Sequence, residues 1–267
     1  MIHQFILTFA PAQGNAALVA SDVHMSSLHA WLFREVLPQY SPAEATWLHD
    51  HPAPKPFALA PLFGAAGELS GLRLTVWAER TAEALAAAWQ GAMTGEKIYQ
   101  LGRQAFVVGE VTRAEPVDFA HLLEKASARN RLRLRFQTPC AFKQTTAMQL
   151  FLPLPGNVFE RPYQVWQAYA PASWQLPESW PNWCAQKVMV QQHAIRTQMI
   201  SLNHRANFIG FTGFVEFVAK KTDEQELLRI WQALGRLASY CGVGYKTTMG
   251  MGAVAYLPGR RKKPPSC

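Results

Sequence analysis

The sequence predicts an α+β protein built from two successive units that share the element order β-α-β-β-α-β. Three observations carry this reading. At 267 residues the chain has room for two domains of about 100–150 residues each. Its apolar positions switch between the two-residue period of strands and the longer period of helices in the same order twice. The two halves also differ in charge: residues 1–115 hold 7 Lys/Arg against 10 Asp/Glu, and residues 116–267 hold 19 against 8.

The first unit opens with a β-like run from Ile2 to Phe9. A helix is predicted from about Met25 to Leu37, where Leu28, Trp31, Leu32 and Val36 recur at helical spacing. A short second helix follows Ser41-Pro42, with serine as the cap and proline at the first helical position. Phe57 to Phe63 reads as a strand. In the next strand Leu72, Leu74 and Val76 alternate with Arg73, Thr75 and Trp77. An alanine-rich helix follows Thr81, and Ala105 to Val111 closes the unit as a strand.

A linking helix is expected at Phe119 to Lys125, after which the order repeats. Arg131 to Phe136 is a strand and Val158 to Tyr169 a helix. Strands follow near Val188 to Met199 and Phe208 to Val218, with Pro171 to Trp183 as an ordered loop before them. The last helix has a capping box in Thr222 and Gln225, an apolar face in Leu227, Ile230, Trp231, Leu234 and Leu237, and a stop at Gly242. This order defines two tandem ferredoxin-like units, residues 1–115 and 128–258, the second ending in a glycine-rich loop. Residues 259–267 form a basic tail, read as a solvated end.

Hydrophobic residues make up 49% of the chain and aromatics 12%, too rich for a disordered polymer. No stretch approaches the roughly 18 apolar residues of a membrane span, and the N-terminus lacks the pattern of a signal peptide. The expectation is a cytoplasmic protein without a membrane partner. Cys140, Cys184, Cys241 and Cys267 are scattered, with no CxxC pair and no zinc-ligand spacing, so neither metal nor other cofactor is expected. The basic second half calls for a polyanion, because neutralising phosphates releases counterions.

Two Gly-x-Gly pairs, Gly242-Val-Gly244 and Gly250-Met-Gly252, flank Tyr245, Lys246, Thr247 and Thr248. Glycine lets backbone amides approach an anion, lysine adds charge and the hydroxyls add donors, so a phosphate chain could lie across this loop. A nucleotide-dependent enzyme is the alternative it raises. Nucleotide-binding glycine loops, however, follow a strand and precede a helix, whereas these glycines follow a helix and precede a strand. A structural glycine turn is the plainer reading.

With its helix, this G-φ-G-x(5)-G-φ-G segment (φ apolar) resembles the glycine-rich loop of repeat-associated RNA-binding proteins. More narrowly, it resembles the CRISPR-associated endoribonuclease family that trims precursor guide RNA within its repeats. Leu28-His-Ala-Trp-Leu-Phe33, Ala45-Thr-Trp-Leu-His-Asp50 with Pro54-Lys-Pro-Phe57, and Phe208-Ile-Gly-Phe-Thr-Gly213 fit that family too. The resemblance implies two ferredoxin-like domains and cleavage of CRISPR repeat RNA on the 3′ side of a stem. It also implies delivery of the product to CRISPR effector complex subunits. It makes His49 catalytic with Lys55 assisting, and it puts Phe33 where some relatives have a catalytic tyrosine. A homodimer is compatible with the sequence, and a non-catalytic RNA-binding subunit is the alternative within the same superfamily.

The chemistry stands apart from the family. Metal-independent RNA cleavage deprotonates a 2′-hydroxyl, lets it attack the neighbouring phosphorus and protonates the departing 5′-oxygen, leaving a 2′,3′-cyclic phosphate. Histidine can perform either transfer near neutral pH, and a lysine offsets the charge of the phosphorane. No Asp-x-Asp cluster suggests a two-metal site in the first half. His51 and His29 are reserve candidates, His29 lying one turn from Phe33. Lys55 sits between two prolines that hold its backbone. Arg131, Arg133 and Arg135 leave one strand face, where like charges would repel without a partner such as RNA phosphate. Arg196, Arg205, Lys220 and Lys221 are further candidate phosphate contacts.

Overall fold

The computed structural model describes residues 1–13, 18–19, 23–92, 97–145, 148–203 and 206–257. Arg205 and the basic tail lie outside the described residues. The first half contains β1 (His3–Pro11), α1 (Met25–Trp31), α2 (Leu37–Tyr40), α3 (Pro42–Asp50), β2 (Phe57–Phe63), β3 (Leu69–Val76), α4 (Glu79–Ala92), β4 (Ile98–Leu101) and β5 (Gln104–Arg113). After the linking helix α5 (Phe119–Glu124) come β6 (Arg131–Cys140), the small hairpin β7 (Phe142–Lys143) and β8 (Gln149–Leu150), and α6 (Pro155–Tyr169). The chain continues through α7 (Trp180–Lys187), β9 (Val188–Asn203), β10 (Ala206–Ala219), α8 (Gln225–Cys241) and β11 (Val254–Leu257).

The two larger sheets share one topology. The N-terminal sheet runs β2-β3-β1-β5-β4 and the C-terminal sheet β11-β6-β10-β9, every neighbour antiparallel. With the edge strand β4 set aside, each places the first strand between the third and the last, the arrangement that a doubled β-α-β unit produces in ferredoxin-like folds. The fold class is α+β with two tandem ferredoxin-like units.

Alternation builds each sheet as expected. Leu72, Leu74 and Val76 are buried on β3, and Leu132, Leu134 and Phe136 on β6. Trp31, Trp166 and Trp231, placed at helical spacing, all sit in the core. Ser41 caps α3 by accepting from the Glu44 amide at 3.2 Å, with Pro42 at its first turn.

Three elements differ from expectation. The strand that closes the first unit is one arm of a hairpin whose other arm, β4, is only four residues long. Pro171 to Trp183 is not all loop: Ala172–Trp174 forms a 3₁₀ turn and α7 starts at Trp180, with Pro181 in the first turn where a missing amide costs nothing. The Thr222/Gln225 capping box does not form. α8 starts later, at Gln225; the Thr222 hydroxyl accepts from the Glu224 backbone amide, and the Gln225 side-chain Nε2 donates to the Asp223 carbonyl.

Candidate active site

Two histidines meet at the seam between the units. On α1, Met25, Leu28 and Trp31 take the buried face, which leaves His29 half-buried at its edge. A π-helical stretch, Leu32–Val36, continues α1 and carries Phe33, whose ring stacks on His29 at 4.5 Å between centroids. The Phe57 ring lies 6.0 Å away on the same imidazole. On α3, Ala45 and Leu48 face inward, so His49 at the end of the helix points to solvent. The two imidazoles are 6.3 Å apart, and Phe33 sets its edge against His49 at 5.9 Å. Phe33 thus packs against both histidines, the three rings forming a triangle.

Hydrogen bonds fix which nitrogens are free. His29 Nδ1 donates to the Thr248 carbonyl at 3.0 Å, which leaves Nε2 unprotonated in the neutral ring. Burial is the main cause that lowers the His29 pKa; the Thr248 bond opposes it, and His49 and Lys55 add to it. His49 Nδ1 donates to the Asp50 carboxylate at 3.0 Å, which turns its Nε2 outward. His51 is spent differently: its Nδ1 donates to the Pro52 carbonyl at 2.8 Å and its ring packs against Trp47. His29, His49 and Lys55 come together, while the His51 ring packs against Trp47 and Tyr169.

Lys55 reaches back to α3 and donates to the His49 carbonyl, one of the helix-end acceptors without an intrahelical partner. An ammonium has three N–H donors, so two remain for a ligand.

The loop from Gly242 to Gly252 contains the 3₁₀ turn Thr247–Met249, between Lys246 and Gly250 in left-handed backbone. Protein carbonyls take the amides of Val243, Tyr245, Met249, Gly250, Met251 and Gly252. The glycines serve close packing: a Cβ on Gly252 would lie 1.8 Å from the Val243 carbonyl oxygen. What the loop offers a phosphate is its side chains, Lys246 and Thr248 above all, since Thr247 is buried and Tyr245 packs on Phe208.

The arginine face on β6 is only partly free. Register sets Glu216 of β10 opposite Arg133, and its carboxylate accepts from Arg131 at 2.7 Å and pairs with Arg133 at 3.6 Å. Arg133 also lies over the Phe214 ring at 4.7 Å. The expected repulsion is therefore relieved inside the protein for two of the three. Arg135 stays exposed and, with exposed Arg196, lines a cleft of about 1170 Å³ between the sheets. Pro61 and Phe63 of β2 and Met251 of the glycine loop form other parts of its wall. Lys220 and Lys221 follow the far end of β10, outside this lining. Among the described residues no cluster of His, Cys, Asp and Glu is arranged to hold a metal ion, and no helix is long and apolar enough to cross a membrane.

Sequence reasoning did not find Asp50 as the partner of His49, although adjacency made it legible. Nor did it find the Thr248 carbonyl, Glu216 or Tyr169, whose partners are 85 or more residues away.

Paired ferredoxin-like sheets with a histidine cluster and a basic cleft at their seam define the class. Residues 134–254 match the family model of the CRISPR-associated endoribonuclease Cas6. A Cas6 product complex (TTHB231, Thermus thermophilus) superposes with a TM-score of 0.80 at 24% identity, covering 96% of this chain and 100% of that one. A second Cas6 product complex (TTHA0078) gives 0.77 at 23% over the same shares. A Cas6-related protein from Pyrococcus furiosus gives 0.59 at 12%, over 97% and 100%. No curated protein matches the chain by sequence. The family model is thus matched across the C-terminal sheet, and the fold of the Cas6 structures is matched along the length of the chain.

Proposed function

We propose that this protein cuts CRISPR repeat RNA within precursor transcripts by 2′-hydroxyl attack, without a metal ion. The observation that carries the reading is the pairing of His29 and His49. Two imidazoles 6.3 Å apart can both reach oxygens of one phosphodiester, and each has Nδ1 engaged so that Nε2 is left for proton transfer. His29, kept neutral by burial, takes the proton of the 2′-hydroxyl. His49 gives a proton to the departing 5′-oxygen. Lys55 offsets the charge on the phosphorane, an interaction strongest in the transition state. The products are a 2′,3′-cyclic phosphate and a 5′-hydroxyl.

The RNA would follow the basic side of the seam, past Lys246 and Thr248 and into the cleft with Arg135 and Arg196. The glycine loop borders both places: the Thr248 carbonyl faces His29 and Met251 lines the cleft. In this reading residues 1–115 supply the catalytic side chains and 128–258 the RNA-binding ones. Handing the product to a CRISPR effector complex, in the cytoplasm and from a monomer or a homodimer, belongs to the same proposal.

The test is incubation in excess EDTA with labelled repeat RNA from the protein's own source, beside a substrate with a 2′-deoxy nucleotide at the cut. A single cut in EDTA that the 2′-deoxy substitution abolishes is the expected result. Tight binding with no cut under any condition would replace this reading with a non-catalytic RNA-binding subunit.

A further inference from the structure

We propose that Tyr169, at the end of α6 in the second unit, is a positioning residue for the cleavage site: it fixes the Pro54-Lys55-Pro56 segment of the first unit, and Lys55 with it. Its hydroxyl donates to the Pro54 carbonyl. Two residues on, the Pro56 carbonyl accepts from the Trp77 amide at 3.0 Å. Lys55 thus stands between two anchored carbonyls, one held by each unit, and from there its ammonium reaches the His49 carbonyl. The Tyr169 ring stacks on Trp77 at 5.8 Å and 20°, and the His51 ring lies 6.2 Å from it. Tyr169 therefore touches the segment before Lys55 and the tryptophan whose amide holds the residue after it, while these contacts include neither His29 nor His49.

The phenol suits this task. Burial pushes its pKa up to about 12, with Arg161 opposing the rise, so it remains a donor throughout the working range of a histidine site. A carbonyl accepts only from a protonated hydroxyl. The Pro54 carbonyl is also an acceptor that neighbouring helix and strand ladders do not use, so the tyrosine supplies what a proline-flanked segment lacks. The consequence is a site whose charge-stabilising group depends on the docking of the second unit. A misplacement of about 1 Å at such a group can cost up to a hundredfold in rate.

The inference rests on the proposed cleavage, and the experiment separates the two. Single-turnover cleavage of labelled repeat RNA is measured for wild type, Tyr169→Phe, Lys55→Ala and the double variant, with the Kd of each for a 2′-deoxy repeat. Phenylalanine keeps the ring stack and removes only the donor. The expected result is a cleavage rate lower by about tenfold in Tyr169→Phe at unchanged Kd, and a double variant no slower than Lys55→Ala, because two residues acting through one group do not add. Replacement of Tyr169 by 3-fluorotyrosine, which keeps the O–H, should restore the rate. A wild-type rate in Tyr169→Phe, a Kd that rises in step with the lost rate, or losses that multiply in the double variant would each overturn the positioning role alone. A wild type that binds but never cuts would remove the cleavage reading and this inference with it.

Discussion

Gly250→Ala tests whether the glycine loop acts on the histidine site through its fold. Gly250 has φ +86°, and a Cβ there would meet Pro61 Cδ of β2 at 3.0 Å. A left-handed conformation costs a non-glycine residue about 1–2 kcal/mol, and the contact requires Pro61 or the loop to shift by a few tenths of an ångström. A total near 2 kcal/mol lowers Tm by roughly 4–8 °C in a chain of this size. The shift also moves the 3₁₀ turn whose Thr248 carbonyl orients His29. Loss of that bond, worth about 1 kcal/mol, slows single-turnover cleavage about fivefold. Gly102→Ala is the control, since its φ of +64° carries the same backbone strain in the β4–β5 turn; it should lower Tm and leave cleavage unchanged. Wild-type cleavage by Gly250→Ala at its lowered Tm would refute the link between loop and histidine.

Other expectations can be read in simpler assays. His49→Ala should slow cleavage by about 10²–10⁴-fold while the Kd for a 2′-deoxy repeat stays put; cleavage at the wild-type rate would shift the acid to another group. Burial depresses the His29 pKa below its usual 6.5, so as pH falls below 6.5 the unfolded chain binds a proton before the native one does. The stability present above that value is lost as pH falls through the folded pKa. A Tm-versus-pH profile should drop on that acidic limb and flatten in His29→Gln, and an equal slope in both would show that His29 titrates as an exposed ring. Glu216→Gln should free Arg131 and Arg133 and steepen the dependence of log Kd on log salt by about one to two. An unchanged slope would take this face out of the RNA path.

Local pattern made much of the fold legible. Phe57–Phe63 lies between proline and glycine and was readable to the residue, and β6 and β3 announce themselves by alternation. The four residues of β4 are too few for a period to show, and α7 was hidden because Pro171, Pro177 and Pro181 together look like loop punctuation although Pro181 marks a helix start. Of the candidate site, His49 and Lys55 could be named through the family resemblance of their segments, and His29 as a reserve through its one-turn spacing from Phe33. Their partners could not. Glu216 faces Arg133 only through strand register, and the Thr248 carbonyl reaches His29 across 219 residues of chain. A carbonyl also has no residue type to betray it.

The contacts that define the site share a geometry that neither sheet could supply alone. His29 of α1 is oriented by a carbonyl of the second unit, and the segment bearing Lys55 is held by a tyrosine of that unit. The reverse also holds. Arg73 of β3 donates to the Ser239 carbonyl at 3.0 Å, and Arg161 of α6 donates to the Cys241 carbonyl at 3.0 Å, so two guanidiniums, one from each unit, cap the end of α8. The glycine loop begins at the next residue, Gly242, and its other shoulder, Gly250, rests on Pro61 of β2. The loop is therefore clamped at both shoulders with the help of the first unit, and between them it presents the carbonyl that sets the His29 tautomer. A change in how the sheets dock moves that carbonyl, Tyr169 and the mouth of the cleft together. For the proposed cleavage, that is a physical reason for proton transfer and RNA grip to change together.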